Sequence, residues 1–573
     1  MKKVDPITLS VLVSNLCWIT EEMNEYLARS AFSTNVKVRR DCSCALFTKE
    51  GDMLAQGEFI PTHLGIMANS LKEVLKNDLP ISSIEKGDVI IHNDPFSMGS
   101  HLWDIMLFQP IYYKDEIIAF SGNLAHHVDI GGSSTKWDSP TIFEEGLRIP
   151  PIKLFKKGKI QEDILKIIAT NVRTPYELRG DISAQTAANY RAEKRVIELI
   201  NKYSKSELLI YFKAILDYSE KGMRKVIGDV PDGEATFEDY IENDGIEDKL
   251  IKIKTKVSIK GSDVYLDFEG SGRPGKGGVN SIWSLTASAA YYAIKSVFGA
   301  KIPTNGGAYR PIHLLRSNED SILDAKFPHA VGGCTCTPAQ RIVDVIIGAL
   351  SKIVPEKVCA CDGHWPADLF VGIDPRTGRY SSFVETYACG RGAKHNEDGA
   401  DAHQTHMTNT ANAPIEIIEL EHPLQIDKYA LVQDSGGAGE FRGGLGLTRE
   451  IICLSPMSVS ARQMRPNIKP YGLFGGEGGG TDLCGVILPD GRKLQICKDA
   501  KPGYKAIIRS SGGGGWGDPL NRDINKVEWD VLNGYISLNS AKEDYGCSIN
   551  PKSYKVDLKK TREIRKIKRK NKK

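Results

Sequence analysis

The chain has no run of eighteen apolar residues, so no segment of it reads as a helical membrane span. It has no glycine-rich loop ending in Lys-Ser/Thr, the loop that cradles nucleotide phosphates. Its glycine clusters at 436–446, 475–480 and 512–517 read as tight turns. If the chemistry needs ATP, another chain is expected to bind it. No fixed-period repeat is present, which excludes a solenoid or propeller. None of the twelve cysteines has zinc-finger spacing. Three C-x-C pairs occur, Cys42/Cys44, Cys334/Cys336 and Cys359/Cys361, and the third runs on to His364. These thiols read as small buried hydrophobes in a reducing compartment rather than as soft-metal ligands. The apolar opening lacks a small-x-small cleavage site, and Asp5, Glu21 and Glu22 interrupt it. It reads as an amphipathic helix with Asp5 as N-cap and Pro6 at the first helical position, in a cytoplasmic protein.

What is present is ordinary for a soluble globular chain: 573 residues, 41% hydrophobic and 26% charged. The net charge of +3 is unevenly placed. Residues 559–573 carry ten Lys/Arg and one Glu, a local +9, which leaves −6 for the rest. Such a tail is expected to be solvated and disordered, and nucleic acid is not expected as a partner. Apolar alternation predicts hairpins over 36–56, 107–125 and 250–268, and a short strand over 87–93. Helical periodicity runs over 161–227, broken at Pro175 and Gly180, and again over 279–298 and 342–353. The expected fold class is α+β, with mixed sheets and hairpins covered by helices. Two main domains, 1–229 and 230–520, are expected, then an extension with its basic tail over 521–573.

Residues 92–129 hold four of the twelve histidines, His92, His101, His126 and His127. His101 and Asp104 lie three apart at the end of a Gly-containing turn. His126 follows after a strand–turn–strand return, so a hairpin can bring the three together. Two imidazoles and one carboxylate leave open positions on a divalent ion, as catalytic sites require. The spacing alone is weak, since His and Asp in turns also cap backbone groups. Adjacent residues of an extended strand point to opposite faces, so His126 and His127 cannot both serve one site. Asp129 is a candidate holder of the second imidazole. A second polar stretch, 389–412, contains Arg391, His395, Asp398, Asp401, His403, His406, Asn409 and Asn412. It reads as a substrate loop, a second ion site or a solvated surface loop.

HNDPFSMGSHLWD, NLAHHVDIGG, ATNVRTPYELRGDISAQTAAN, ETYACGRGAKHNEDG and SSGGGGWGDP, in that order, resemble the hydantoinase B/oxoprolinase family. That family also includes the metal-bearing subunits of acetone and acetophenone carboxylases. The resemblance implies a metal site on His101, Asp104 and His126. Asp41 would be a further ligand or a general base, and His127 a second candidate for proton transfer. It implies a divalent ion, zinc or manganese. It also implies a hydantoinase A-type partner that uses ATP and magnesium, in a hetero-oligomer such as A2B2. The implied activity is ATP-dependent opening of a small cyclic amide such as a hydantoin, lactam or 5-oxoproline. A ketone carboxylase subunit and a non-catalytic scaffold for the partner are the alternatives. The common T-H-L-P-D wording is Ser100-His101-Leu102-Trp103-Asp104 here, which places Trp103 at the expected pocket mouth.

Overall fold

Leu12, Leu16, Ile19, Met23 and Leu27 return every three or four residues, so a helix over them buries one continuous stripe. That helix, α1 (Pro6–Ser30), is capped as expected: Asp5 accepts the Thr8 N–H at 2.8 Å, and Pro6 opens the first turn. The computed structural model describes residues 4–57, 59–316 and 320–571. They fall into two units. The first spans Met1–Ala349 with Met407–Ala413, and the second Leu350–His406 with Pro414–Lys573.

In the first unit, seven antiparallel strands form one sheet. They are β1 (Cys42–Thr48), β2 (Met53–Gln56), β3 (Val89–His92), β4 (Asp104–Tyr113), β5 (Glu116–His126), β6 (Ile152–Lys156) and β7 (Lys159–Ile160). Their spatial order is β2-β1-β5-β4-β3-β6-β7. The helix α2 (His63–Glu73) follows β2. Two long helices, α3 (Pro175–Tyr203) and α4 (Lys205–Gly228), complete this part. The small side chains of Ala184, Ala188 and Ala192 on α3 recur every fourth residue and share a core with the α1 stripe and Cys42, Cys44 and Leu46 of β1. Each large side chain buried there contributes about 1.5–3 kcal/mol.

Pro175 does mark a boundary, as the first residue of α3. Gly180 does not break the helix. It lies inside α3 because a Cβ there would stand 2.1 Å from the Phe32 ring. The break falls instead at Ser204, whose φ is +65°.

A second sheet in this unit runs β11-β10-β9-β8. It is built from β8 (Gly233–Ile241), β9 (Ile251–Lys260), β10 (Asp263–Asp267) and β11 (Ile312–Leu315), with β10 and β11 parallel. The helix α5 (Trp283–Phe298) lies between β10 and β11 in the chain. The boundary expected near 229 lies within this unit. Arg224 of α4 reaches Asp263 at 2.8 Å, and Asn305 donates to Ser219 at 2.8 Å, so elements on both sides of it pack together.

The second unit holds two smaller sheets, of four and five strands. Its last elements are α6 (Ile524–Leu532), α7 (Leu538–Glu543) and α8 (Leu558–Asn571). The basic tail is therefore helical through Asn571 rather than disordered. Its own Thr561 is buried, and its Arg565 donates to the carbonyls of Tyr545 at 3.0 Å and Arg522 at 2.9 Å. No helix among the described residues is long and apolar enough to cross a membrane.

Candidate metal centre

Strand register assembles this site. β4 and β5 pair so that Asp104, the first residue of one, stands opposite His126, the last of the other. β1 flanks β5 on its other side with Cys42 opposite Ala125, which brings Asp41 level with His126. The Asp41 carbonyl accepts the His126 N–H at 3.0 Å. His101 arrives from the turn before β4, where its carbonyl accepts the Asp104 N–H at 3.0 Å.

His101, Asp104 and His126 are all buried, and each offers one ligand atom within 4.8 Å of the others. His101 Nε2 lies 3.2 Å from Asp104 Oδ1, and His126 Nδ1 lies 4.0 Å from the same oxygen. His101 Nδ1 is 3.1 Å from the Gly332 carbonyl. A carbonyl only accepts, so Nδ1 carries a proton there, and Nε2 is the nitrogen that faces the carboxylate. His101 Nε2 makes no hydrogen bond. A buried carboxylate this close to Nε2 calls for positive charge, supplied by a proton on the ring or by a cation between the two. A divalent cation fits that requirement, and an imidazole that gives its other N–H to a backbone carbonyl is the usual support for a ligand.

The surroundings favour an ionised carboxylate. Burial pushes the Asp104 carboxyl up, but the imidazoles of His101, His126 and His63 more than offset it and hold it well below the usual range. Ser100 donates its hydroxyl to the other carboxylate oxygen. Asp41 behaves differently. Burial raises its carboxyl to about 6, with the Asp104 charge adding to the rise and Arg39 opposing it.

Asp41 stands outside the three-residue group, close enough to feel the charges of Asp104 and His101. Asn35 hydrogen-bonds its carboxylate and also donates to the His126 carbonyl at 2.7 Å. His127 turns the other way: its Nε2 donates to Gln185 Oε1 of α3 at 3.1 Å. Gln185 in turn donates to the Ile105 carbonyl at 2.9 Å and to Asn123 at 3.0 Å. Asp129 does not hold a histidine. Its carboxylate pairs with Arg173 at 2.6 Å. Trp103 is not at an open mouth but buried, with its ring 5.7 Å from that of His101. His63 binds Ser43 Oγ at 2.9 Å, and burial lowers its pKa to about 4. His92 pairs with Ser70 at 2.9 Å as a buried neutral ring. Ser100, Asn35, Gln185 and Gly332 carry no spacing signal in the sequence. Gly332 lies 231 residues from His101.

The polar stretch 389–412 holds no such group among the described residues. Asp398 pairs with Arg522 at 2.6 Å, Asp401 with Arg442 at 3.1 Å and His406 with Asp362 at 3.4 Å. All twelve cysteines are free, and eleven are buried.

The hydantoinase B/oxoprolinase family model matches residues 5–519. An uncharacterized protein of Methanocaldococcus jannaschii is 38% identical, with 98% of this chain and all of that one aligned. Caprolactamase subunit beta of Pseudomonas jessenii is 32% identical over 96% of this chain and 97% of its own length. The crystal structure of that ATP-dependent caprolactamase superposes with a TM-score of 0.91 over 99% of this chain and 100% of the matched chain. Acetone carboxylase superposes with a TM-score of 0.89 at 19% identity, covering 99% of this chain and 83% of that one, a likeness of fold. With one family model spanning nearly its whole length, the chain belongs to the hydantoinase B/oxoprolinase family.

Proposed function

We propose that this chain is the metal-bearing subunit of an ATP-dependent cyclic-amide hydrolase. The observation that carries the reading is the convergence of three buried ligand atoms, with His101 Nε2 facing the Asp104 carboxylate at 3.2 Å and His126 beside them. His101, Asp104 and His126 would hold zinc or manganese, with Asp41 as a fourth ligand or the general base. When bound, such an ion lowers the pKa of water toward neutrality and polarises an oxygen. The substrate would be a hydantoin, a lactam or 5-oxoproline.

An amide resists hydrolysis because its carbonyl is unactivated and its nitrogen leaves poorly. A hydantoinase A-type partner, using ATP and magnesium, would place a phosphate on the carbonyl oxygen. On this chain, water then adds to the activated carbon. The ring C–N bond breaks as nitrogen takes a proton, and a second water releases the phosphate. Asp41 would receive the proton of the attacking water. His127 would hold Gln185 and the strand end in place, since its Nε2 proton is already committed. The relative named as a caprolactamase subunit, aligned over 96% of this chain, supports hydrolysis. The carboxylase likeness rests on fold, so carboxylation is the lesser reading.

The test is to co-express this chain with its A-type partner and assay ring opening of caprolactam, hydantoin and 5-oxoproline with ATP. His101→Ala should abolish both ring opening and bound metal while the partner still binds ATP. Full activity in that variant would sink the assignment. Bicarbonate-dependent ATP turnover on a ketone would move it to the carboxylases.

A further inference from the structure

The family model ends at residue 519, and the helix α8 lies beyond it. Arg562, Arg565, Lys566, Arg569 and Lys570 recur at i, i+3, i+4, i+7 and i+8, so they share one face over about 12 Å. With Ile524 of α6 they line an open groove of about 540 Å³. That volume lies within the roughly 300–1,000 Å³ typical of small-molecule sites.

Two features make this more than a solvated basic face. First, Arg565 and Arg569 are already positioned by neutral groups. Arg565 donates to the carbonyls of Tyr545 and Arg522, and Arg569 to the Leu520 carbonyl at 3.1 Å and Asn521 Oδ1 at 3.0 Å. Hydrogen bonds to neutral oxygens orient a guanidinium without cancelling its charge. Second, none of the five cations pairs with a carboxylate among the described residues. Three acids of this region pair with other cations, Glu543 with Lys568 at 3.4 Å, Asp557 with Lys560 at 3.5 Å and Glu528 with Lys555 at 2.6 Å, and the exposed Glu563 of α8 is not among the residues that line the groove.

We propose that this groove binds a run of closely spaced phosphates. Three arginines with planar donor forks and two lysines as point charges suit phosphate oxygens. A docked protein would need an apolar or aromatic centre, and lysine is depleted at such centres. Here Ile524 is the only apolar side chain in the lining. The phosphates have two possible sources, a small oligophosphate or the backbone of a nucleic acid. The inference is independent of the ring-opening reading.

The experiment uses the full-length chain, with its partner subunit if the two co-purify. Sodium tripolyphosphate is titrated by calorimetry, and a short fluorescein-labelled DNA duplex by anisotropy, each at low and raised salt. The Arg562→Glu/Lys566→Glu variant should bind at least about tenfold more weakly, because two contacts turn repulsive. The milder Lys566→Gln/Lys570→Gln variant should weaken binding in the same direction and serves if the charge reversal unfolds α8. Tripolyphosphate binding assigns the site to a small oligophosphate. Duplex binding alone, with a salt slope of about 0.9 per phosphate contacted, assigns it to a nucleic-acid backbone. If neither probe binds, the proposal is overturned. So does binding unchanged in both variants, or capture of polyglutamate in preference to phosphate.

Discussion

Two regions of this chain are rich in His, Asp and Cys, and the structure treats them in opposite ways. At the end of the β4–β5 hairpin, the donors converge, and among the described residues imidazoles rather than an arginine or lysine stand against the Asp104 carboxylate. His101 Nε2 and Asp104 Oδ1 face each other at 3.2 Å, with His126 Nδ1 4.0 Å from the same oxygen. In 389–406 and its neighbours, each acid already has its cation. Burial pushes the Asp398 carboxyl up, but hydrogen bonding and charge from Arg522 more than offset it and hold it below its ordinary value. A metal site is marked less by the number of ligand-type residues than by convergence without compensation. A buried acid that has found an arginine has no reason to take up an ion.

The comparison can be broken most decisively at the ligands. His101→Ala or Asp104→Ala should remove bound metal entirely, whereas His403→Ala should leave metal content unchanged. Elemental analysis of the purified variants decides this, and equal loss in all three would erase the distinction. Next in size is the compensated region. Arg522 is buried against Asp530 at 2.8 Å and Asp398 at 2.6 Å. Arg522→Leu should cost about 3 kcal/mol, the low end for removing one partner of a buried ion pair, because Asp398 is partly exposed. Urea unfolding measures it, and a change within about 0.5 kcal/mol would show that these pairs hold little.

A smaller effect is expected beside the proposed metal site. Ser100→Ala removes the hydroxyl that holds Asp104 and should weaken metal affinity by about 10–100-fold without abolishing it. Competition with a calibrated chelator reads the change. The smallest effect concerns a buried histidine of the second unit that is no ligand. Burial, aided by Arg376, lowers the His422 pKa from 6.5 to about 4. The folded ring stays neutral where the unfolded one takes a proton, so its stabilisation is present above pH 6.5. It declines as pH falls and levels off near pH 4. By pH 5.5 the loss should be about 1.4 kcal/mol. His422→Asn, which keeps a polar partner for Ser381, should flatten that part of the pH profile. An unchanged slope would remove His422 as its source.

Much of the local structure follows from patterning that any reader of the chain can see. The α1 stripe with its Asp5-Pro6 start, the β4–β5 hairpin turning at Lys114 and Asp115, and the alternation of β9 are properties of short segments. They depend on periodicity and capping, which act within a few residues. Gly180 and the basic tail depart from their local patterns for the same reason in reverse. A helical glycine under Phe32, and a cationic helix held by the carbonyls of Tyr545 and Arg522, depend on contacts that no local rule contains.

The sequence by itself determined many of the elements, the candidate ligands at 101, 104 and 126, and the family. Spacing alone leaves open which of two adjacent histidines faces the carboxylate, and tertiary structure shows how His126 comes to do so. Strand register sets His126 across from Asp104, and the pleat then sends His127 to Gln185. It also decided that Gly332, 231 residues away, fixes the protonated nitrogen of His101. Both outcomes depend on distances between segments remote in the chain, and those become defined only when the sheet closes and its core packs.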